Sequence, residues 1–161
     1  MKLMLNNGWK LVWRDLSVKA DAVCDILEAD DYIDAGALPC DVHMPLIRQG
    51  IIKDPVVADY CYDCEWMERK SWWMRKDFTV EEKALHAREI RLVIESLDLY
   101  ADVFINGRLI SRHQSCHYPF EAVVGEYLNP GENTLLVRLT AGPEKISKEQ
   151  YDYLADFICT E

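Results

Sequence analysis

An aromatic cluster interleaved with charged residues is the part of this sequence best suited to binding chemistry. The rings are Tyr60, Tyr62, Trp66, Trp72 and Trp73, and the charged residues among them are Asp63, Glu65, Glu68, Arg69 and Arg75. Flat apolar rings beside carboxylates and fork-shaped donors suit a sugar, which has C–H-rich faces and a hydroxyl-rich edge. The same residue types are enriched at protein–protein contacts, and aromatic side chains also fill protein cores. The cluster therefore leaves a sugar site, an interface and a core position open.

Motifs of the common catalytic sites are missing from the sequence. It contains no nucleophile elbow, phosphate-binding loop, dinucleotide fingerprint or His-Glu-x-x-His motif. The acidic pairs Asp30-Asp31 and Glu81-Glu82 consist of adjacent residues, whose side chains would point to opposite faces of a strand, so we expect them on the surface. The histidines at 43, 86, 113 and 117 form no recognisable triad. We predict no catalytic residue in this chain.

The cysteines offer one close pair, Cys61 and Cys64, among the six at 24, 40, 61, 64, 116 and 159. A structural zinc ion needs four nitrogen or sulfur ligands, and His113 and His117 lie about fifty residues further on, at no familiar finger spacing. A redox role for the pair lacks the βαβ context in which such motifs occur. We predict free, partly buried thiols, no metal and no cofactor, as in a reducing cytoplasm.

The elements that would position these residues are mostly strands. Ile90, Leu92 and Ile94 alternate with polar residues, Leu135, Val137 and Leu139 do the same, and residues 120–124 form a short apolar run. Short strands separated by Gly, Pro and Asn turns predict an all-β sandwich or barrel.

A hairpin is predicted at Asn106-Gly107, because this dipeptide supplies the two positive φ angles of a type I′ turn. Apolar residues on both faces of the hairpin predict an internal position in the sheet. The predicted cross-strand pairs are Ile105 with Arg108, Phe104 with Leu109, and Val103 with Ile110.

Helices are expected to be few and short. Asp41 or His43 is predicted to cap a helix that passes through Leu46 and Ile47 and ends at Gly50. Capping boxes are predicted at Thr79 to Glu82 and at Ser147 to Gln150. The second box would begin a helix with one apolar face, formed by Tyr151, Leu154, Phe157 and Ile158.

Size and charge narrow the class of protein. The chain has 161 residues, half of them apolar, and a net charge of −10, so it lacks the basic surface that nucleic acid requires. It has no apolar run of membrane-spanning length. Its first eight residues turn polar too soon for a signal peptide, so we expect a cytoplasmic protein, the alternative being a signal peptide removed before this sequence begins.

Several strings occur in the order of a known family. The strings are LPCDVH (38–43), LIRQGIIKDP (46–55), EWMERKSWWMRKDF (65–78), LDLYADVFING (97–107), PF (119–120) and LNPGENTL (128–135). Together they resemble the amino-terminal sugar-binding domain of family 2 glycoside hydrolases of the β-mannosidase type. Cys40 stands where glycine is usual, and Met74 stands where an aromatic residue is common.

The resemblance implies a jelly-roll β-sandwich of the galactose-binding-domain type. Residues 1–161 would then be one domain of a larger hydrolase whose two catalytic glutamates lie in a TIM barrel further along the chain. The loop around Trp66 would face the mouth of that barrel. We therefore predict that Trp66, Arg69 and Trp72 line the site of a terminal β-mannoside or β-galactoside, with the barrel as intramolecular partner.

Two other functions remain open from the sequence. One is an independent carbohydrate-binding module that holds a glycan without a barrel. The other is a jelly roll that serves only protein interaction.

Overall fold

The computed structural model describes residues 2–147 and 149–150, which contain eight strands and three short α-helices. The strands are β1 (Trp9–Asp15), β2 (Ile33–Gly36), β3 (Lys70–Val80), β4 (Arg91–Ile94), β5 (Tyr100–Ile105), β6 (Arg108–Gln114), β7 (Phe120–Val123) and β8 (Gly131–Thr140). The α-helices are α1 (Val23–Leu27), α2 (His43–Arg48) and α3 (Glu82–Leu85). The longest of four 3₁₀ turns is the 3₁₀ segment, Tyr62–Arg69.

The strands form two antiparallel sheets. The larger has the order β2-β1-β3-β8-β5-β6, and the smaller pairs β4 with β7. Apolar side chains of the large sheet pack between the two sheets together with Leu92, Ile94 and Phe120. This arrangement confirms the predicted β-sandwich with a few short peripheral helices.

Both faces of the large sheet are buried at its centre. Trp72 and Met74 of β3 face the core between the sheets, whereas Trp73 faces a second core, which Val23 and Ile26 of α1 cover. Strand β8 divides in the same way, with Leu135 in the first core and Leu136 in the second. Since a strand points successive side chains to opposite faces, these strands are apolar on both sides rather than alternating.

The predicted hairpin at Asn106-Gly107 is present, and both residues have positive φ, 51° and 76°. Two predicted pairs, Ile105 with Arg108 and Phe104 with Leu109, are confirmed. The third is wrong, because β6 has one extra residue, Ile110, opposite the step from Val103 to Phe104, and this bulge places Val103 opposite Ser111. The predicted internal position of the hairpin in the sheet is confirmed for β5 and wrong for β6, which is an edge strand.

A buried amide network holds this turn against β8. The Asn106 amide donates to Asn133 Oδ1 at 2.8 Å and to the carbonyl of Tyr127 at 2.9 Å, and its own oxygen accepts from the Thr134 amide at 2.9 Å. Asn133 is only 3% exposed, and its side chain also donates to the carbonyls of Asn129 and Gly131. These buried polar groups are therefore satisfied within the protein.

The helix caps agree with prediction in two cases of three. Asp41, not His43, accepts hydrogen bonds from the amides of His43 and Met44, at 2.7 and 3.0 Å, where α2 begins. Ser147 and Gln150 exchange the two bonds of a capping box, whereas the apolar face predicted after them lies outside the described residues. The box from Thr79 to Glu82 is wrong, because Thr79 still belongs to β3.

In the part of the chain that the structure describes, every helix is too short or too polar to cross a membrane.

Candidate functional site

The 3₁₀ segment carries two of the three predicted site residues, Trp66 and Arg69. At its start, the amides of Tyr62, Asp63 and Cys64 each donate to the carbonyl three residues earlier, at 3.0 to 3.2 Å. Eight residues are long for a 3₁₀ helix, which seldom exceeds about four.

Three residues per turn align the side chains of this segment in three rows, because residues i and i+3 eclipse in a 3₁₀ helix. Burial follows the rows. The first contains Cys64 and Met67, at 7% and 4% exposed, and faces the core between the sheets. The second and third rows are exposed, except that Trp66 in the third is half-buried at the boundary between core and solvent. The solvent row is Tyr62, Glu65 and Glu68, and the boundary row is Asp63, Trp66 and Arg69.

Trp66 belongs to a triad of tryptophans. Its ring centroid lies 5.9 Å from that of Trp72 and 6.2 Å from that of Trp13, and Trp13 and Trp72 are 5.7 Å apart. Trp13 of β1 and Trp72 of β3 are direct cross-strand partners. All three rings are tilted at 39° to 50° to one another, within the range in which aromatic pairs attract beyond their buried area.

The three predicted substrate-binding residues are close together but differ in exposure. Trp72 is 5% exposed, and its indole N–H donates to the carbonyl of Met67 at 3.2 Å, so it holds the 3₁₀ segment against β3. Trp66 is half-buried and Arg69 is exposed. Of the three, only Trp66 and Arg69 therefore present substantial side-chain surface in this domain.

The remaining members of the aromatic cluster divide between surface and core. Tyr62 is 69% exposed, and Tyr60 lies under the ammonium group of Lys53, 4.3 Å from the ring centre. Trp73 is on the opposite face of the sheet, stacked on Phe104 at 6.1 Å. Arg75 donates to the carbonyl of Leu27, away from the triad. The aromatic cluster is thus continuous in sequence, but in space its residues lie at the tryptophan triad, on the surface and on the opposite face of the sheet.

Trp13 was missed by the sequence reasoning. It lies more than fifty residues before Trp66, and the structure brings it there because β1 pairs with β3. The signal was present in the two-residue spacing of Trp9, Leu11 and Trp13, which marks one face of a strand.

The surroundings of the triad are acidic. Asp63, Glu65 and Glu68 are exposed, and Lys70, just beyond the segment, forms an ion pair with Asp15 of β1. The described residues hold no group of three or more His, Cys, Asp or Glu side chains placed to bind a metal ion. Aromatic surface, one guanidinium and several carboxylates can bind and orient a polyhydroxylated molecule.

Two shallow depressions lie elsewhere on the surface. One is beside α2 and includes Cys40, whose thiol pKa is raised by burial, so that it forms a thiolate less readily than an exposed cysteine. The other lies beside α1, where Arg14 donates to both oxygens of Asp31, at 2.8 and 2.6 Å. These bonds lower the pKa of Asp31 and raise that of Arg14, as a structural ion pair does. Neither depression gathers the aromatic surface found at the triad.

Residues 18–159 match the family model described as glycosyl hydrolase 2 galactose-binding domain-like. The chain belongs to this family. The family resemblance seen in the sequence strings is therefore confirmed, and the two antiparallel sheets are those of a galactose-binding-like domain.

Similar proteins include several β-mannosidases. A probable β-mannosidase of Caenorhabditis elegans is 23% identical over 118 residues, which cover 73% of this chain and 13% of the relative. The crystal structure of β-D-mannosidase from Dictyoglomus thermophilum superposes with a TM-score of 0.77 and 29% identity, over 93% of this chain and 17% of that one. A β-glucuronidase of an uncultured Clostridium, with a TM-score of 0.58 and 24% identity, shares the fold over 84% of this chain and 21% of its own.

The galactose-binding-like domain spans 13% of the length of the first curated relatives it matches. Its likeness to the β-mannosidase of Dictyoglomus thermophilum extends over nearly the whole of the described fold.

Proposed function

We propose that this chain is a non-catalytic accessory domain of a family 2 glycosidase of the β-mannosidase type. It would contribute to a longer hydrolase in which a catalytic barrel cleaves terminal glycosidic bonds. The galactose-binding-like fold and the 0.77 TM-score with a β-mannosidase support this proposal. The observation that carries it is the boundary row of the 3₁₀ segment, where Trp66 and Arg69 stand side by side at the surface.

The triad makes Trp66 a rigid platform. Trp13 and Trp72 contact its ring from two directions, so little side-chain freedom remains to be lost when a ligand stacks on the open part. A pyranose ring would lay its C–H face on that part of the indole. Trp72 would take part through Trp66, since its own ring is covered.

Arg69 follows Trp66 by one 3₁₀ turn, which is a rise of about 6 Å. A guanidinium at this distance would donate to hydroxyl groups at the edge of a sugar stacked on the indole. The boundary row would thus form one wall of the substrate site, and the barrel would supply the other walls and both catalytic glutamates. We propose a terminal β-mannoside as substrate in preference to a β-galactoside, because four of the five curated relatives are β-mannosidases and one is a β-galactosidase.

Kinetics of the full-length protein test this function. Trp66→Ala and Arg69→Ala are each expected to raise KM for an aryl β-mannoside by about tenfold or more, the equivalent of one lost charge-assisted hydrogen bond or stacking contact. The matched controls are Tyr118→Ala, which removes a ring that is 70% exposed, and Arg88→Ala, which removes an exposed guanidinium. Both controls should retain the parent KM.

Thermal unfolding of each variant would show whether the domain remains folded. Unchanged KM in both Trp66→Ala and Arg69→Ala would refute the proposed wall. An aryl β-galactoside assayed in parallel distinguishes the two substrate classes, and a higher kcat/KM for the galactoside would overturn the preference for mannose.

A further inference from the structure

We propose that Cys61 and Cys64 form a redox modification site, at which a low-molecular-weight disulfide oxidises the two thiols to an intramolecular disulfide. The chemistry depends on these two residues alone and not on the hydrolase function proposed above. The sequence alone gave this Cys-x-x-Cys pair no structural context that would support a redox role. The 3₁₀ geometry of the backbone around the two cysteines provides such a context.

The backbone places the two cysteines in register. Cys61 adjoins the 3₁₀ segment with φ −57° and ψ −36°, and its carbonyl accepts a hydrogen bond from the Cys64 amide at 3.0 Å. Three residues of 3₁₀ rise amount to about 6 Å with the side chains eclipsed. Disulfides span Cα separations of about 4.4 to 6.8 Å, which this spacing satisfies, and Cβ separations of about 3.5 to 4.5 Å, for which the exposed Cys61 end of the turn must tilt toward Cys64.

The burial pattern supports this alignment. Cys64 and Met67 form the inward-facing row, and Cys61 stands at the exposed start of the same row. Trp66 and Arg69 belong to a different row, so a ligand or domain placed against them would not by that contact cover Cys61. One thiol is therefore open to a small reagent, and the other lies one turn further in.

The reaction balances as two thiol–disulfide exchanges. The Cys61 thiolate attacks one sulfur of the added disulfide, breaks its S–S bond and releases the first thiolate. The Cys64 thiolate then attacks the Cys61 sulfur of the mixed disulfide and expels the second thiolate. The released thiolates take up the two protons that the cysteines lose, and two electrons pass from the cysteines to the reagent, which leaves as two thiols.

The other described cysteines lack this arrangement. Cys24 is exposed, Cys40 is half-buried with a raised pKa, and Cys116 is half-buried. Each is at least sixteen residues in sequence from the next cysteine. They serve as internal references for reagent access.

Peptide mapping of the full-length protein tests the site. The protein is incubated with oxidised glutathione, quenched in acid, and then unfolded in denaturant at mildly alkaline pH with excess iodoacetamide, which alkylates every remaining thiolate including that of buried Cys64. It is then digested with trypsin. Cleavage after Lys53 and Arg69 yields peptide 54–69, which contains both cysteines of the pair and no other. We expect this peptide to lose two hydrogen atoms and both alkylation sites, and dithiothreitol to restore both. Alkylation of both cysteines after oxidation would overturn the proposal.

Serine variants assign the two steps. In Cys64→Ser the reaction should stop at a glutathione mixed disulfide on Cys61, and in Cys61→Ser peptide 54–69 should gain neither modification because Cys64 is buried. The exposed Cys24 reports that the reagent was active in each sample. A mixed disulfide on Cys61 that persists in the parent protein as it does in Cys64→Ser would show that Cys64 cannot reach it, which also overturns the proposal. Far-ultraviolet circular dichroism checks that both variants are folded.

Discussion

Trp66 and Trp72 are neighbours in space, yet their surroundings assign them different tasks. Trp72 is 5% exposed with its N–H bonded to a backbone carbonyl, whereas Trp66 keeps part of its ring at the surface. The family resemblance predicted both as site residues, because residue type and position along the chain do not report burial. The sequence led to a candidate segment, and the assignment of Trp66, Arg69 and Trp72 to a substrate site stays a prediction. The exposure of each ring depended on tertiary packing.

Asp77 shows how one exposed side chain can link three strands. Its carboxylate accepts from Thr134 of β8 at 2.8 Å and from Arg75 of β3 at 2.9 Å, and it lies 3.7 Å from Lys10 of β1. Partial burial by itself would raise the pKa of Asp77, but the bonds from Thr134 and Arg75 outweigh it, and the pKa is lowered. The folded protein therefore favours the charged carboxylate.

Asp77→Asn is expected to lower the free energy of unfolding at pH 7 by at most about 1 kcal/mol, since the ion pair between Asp77 and Arg75 is partly solvated. A lowered pKa means that the contribution is present above the unfolded-state value of about 3.9 and is lost as the pH falls through the folded-state value below it. The difference between parent and variant should therefore vanish in acid. Urea denaturation from pH 7 down to pH 3 measures it, with exposed Asp59→Asn as the control. A difference that stays constant with pH would contradict this linkage.

Among the elements, the hairpin was predictable and the longest strand was not. Asn106-Gly107 carries a local signal, since the turn itself demands positive φ. Strand β3 carries none, because Trp72 and Trp73 are both buried on opposite faces and the two-residue period disappears. The bulge at Ile110 of β6 was unpredictable for another reason. It is a property of the pairing between β5 and β6 and not of either strand.

The 3₁₀ turn Pro143–Lys145, after β8, packs closely against β5. Gly142 precedes the turn with φ +100°, and a Cβ built on it would overlap the ring of Tyr100. Glu144 accepts a hydrogen bond from Thr140 at 2.6 Å, which fixes the same turn to the end of β8. A side chain at position 142 would push the turn away from the strand.

Gly142→Ala is therefore expected to destabilise the protein more than Gly131→Ala, which matches it in positive φ but has open space around its Cβ. Backbone strain alone costs about 1–2 kcal/mol, and overlap with the ring would add about 1–3 kcal/mol. Urea denaturation of the two variants gives the difference directly. Equal losses would mean that the turn moves away from Tyr100 without cost.

For the whole molecule, composition limited the class of protein and the ordered strings identified the family. A net charge of −10 argued against nucleic acid, but it does not choose among β-sandwiches. Composition and periodicity could not predict the order of the strands, because β8 lies between β3 and β5 through contacts between residues far apart in sequence. The family resemblance implied a jelly-roll β-sandwich without giving the strand order, and the structure confirms the β-sandwich.

The 161-residue chain on its own is expected to bind mannosides weakly, with a Kd above about 1 mM, because one indole face and one guanidinium provide only part of a pocket. Nuclear magnetic resonance titration with mannose, galactose and their oligomers measures this, and the Trp66→Ala chain is the control. Saturable binding tighter than that limit, lost in Trp66→Ala, would favour an independent carbohydrate-binding module over an accessory domain.

The division of β3 between two cores gives the protein a pair of internal optical reporters. Trp72 reports on the interior between the sheets and Trp73 on the layer beneath α1, although one peptide bond joins them. Three other tryptophans also fluoresce, so the contribution of each reporter is the difference in emission between the parent and its Trp72→Phe or Trp73→Phe variant. Because one strand carries both side chains, β3 cannot separate from one core without also disturbing the other. The two cores are therefore mechanically coupled through β3.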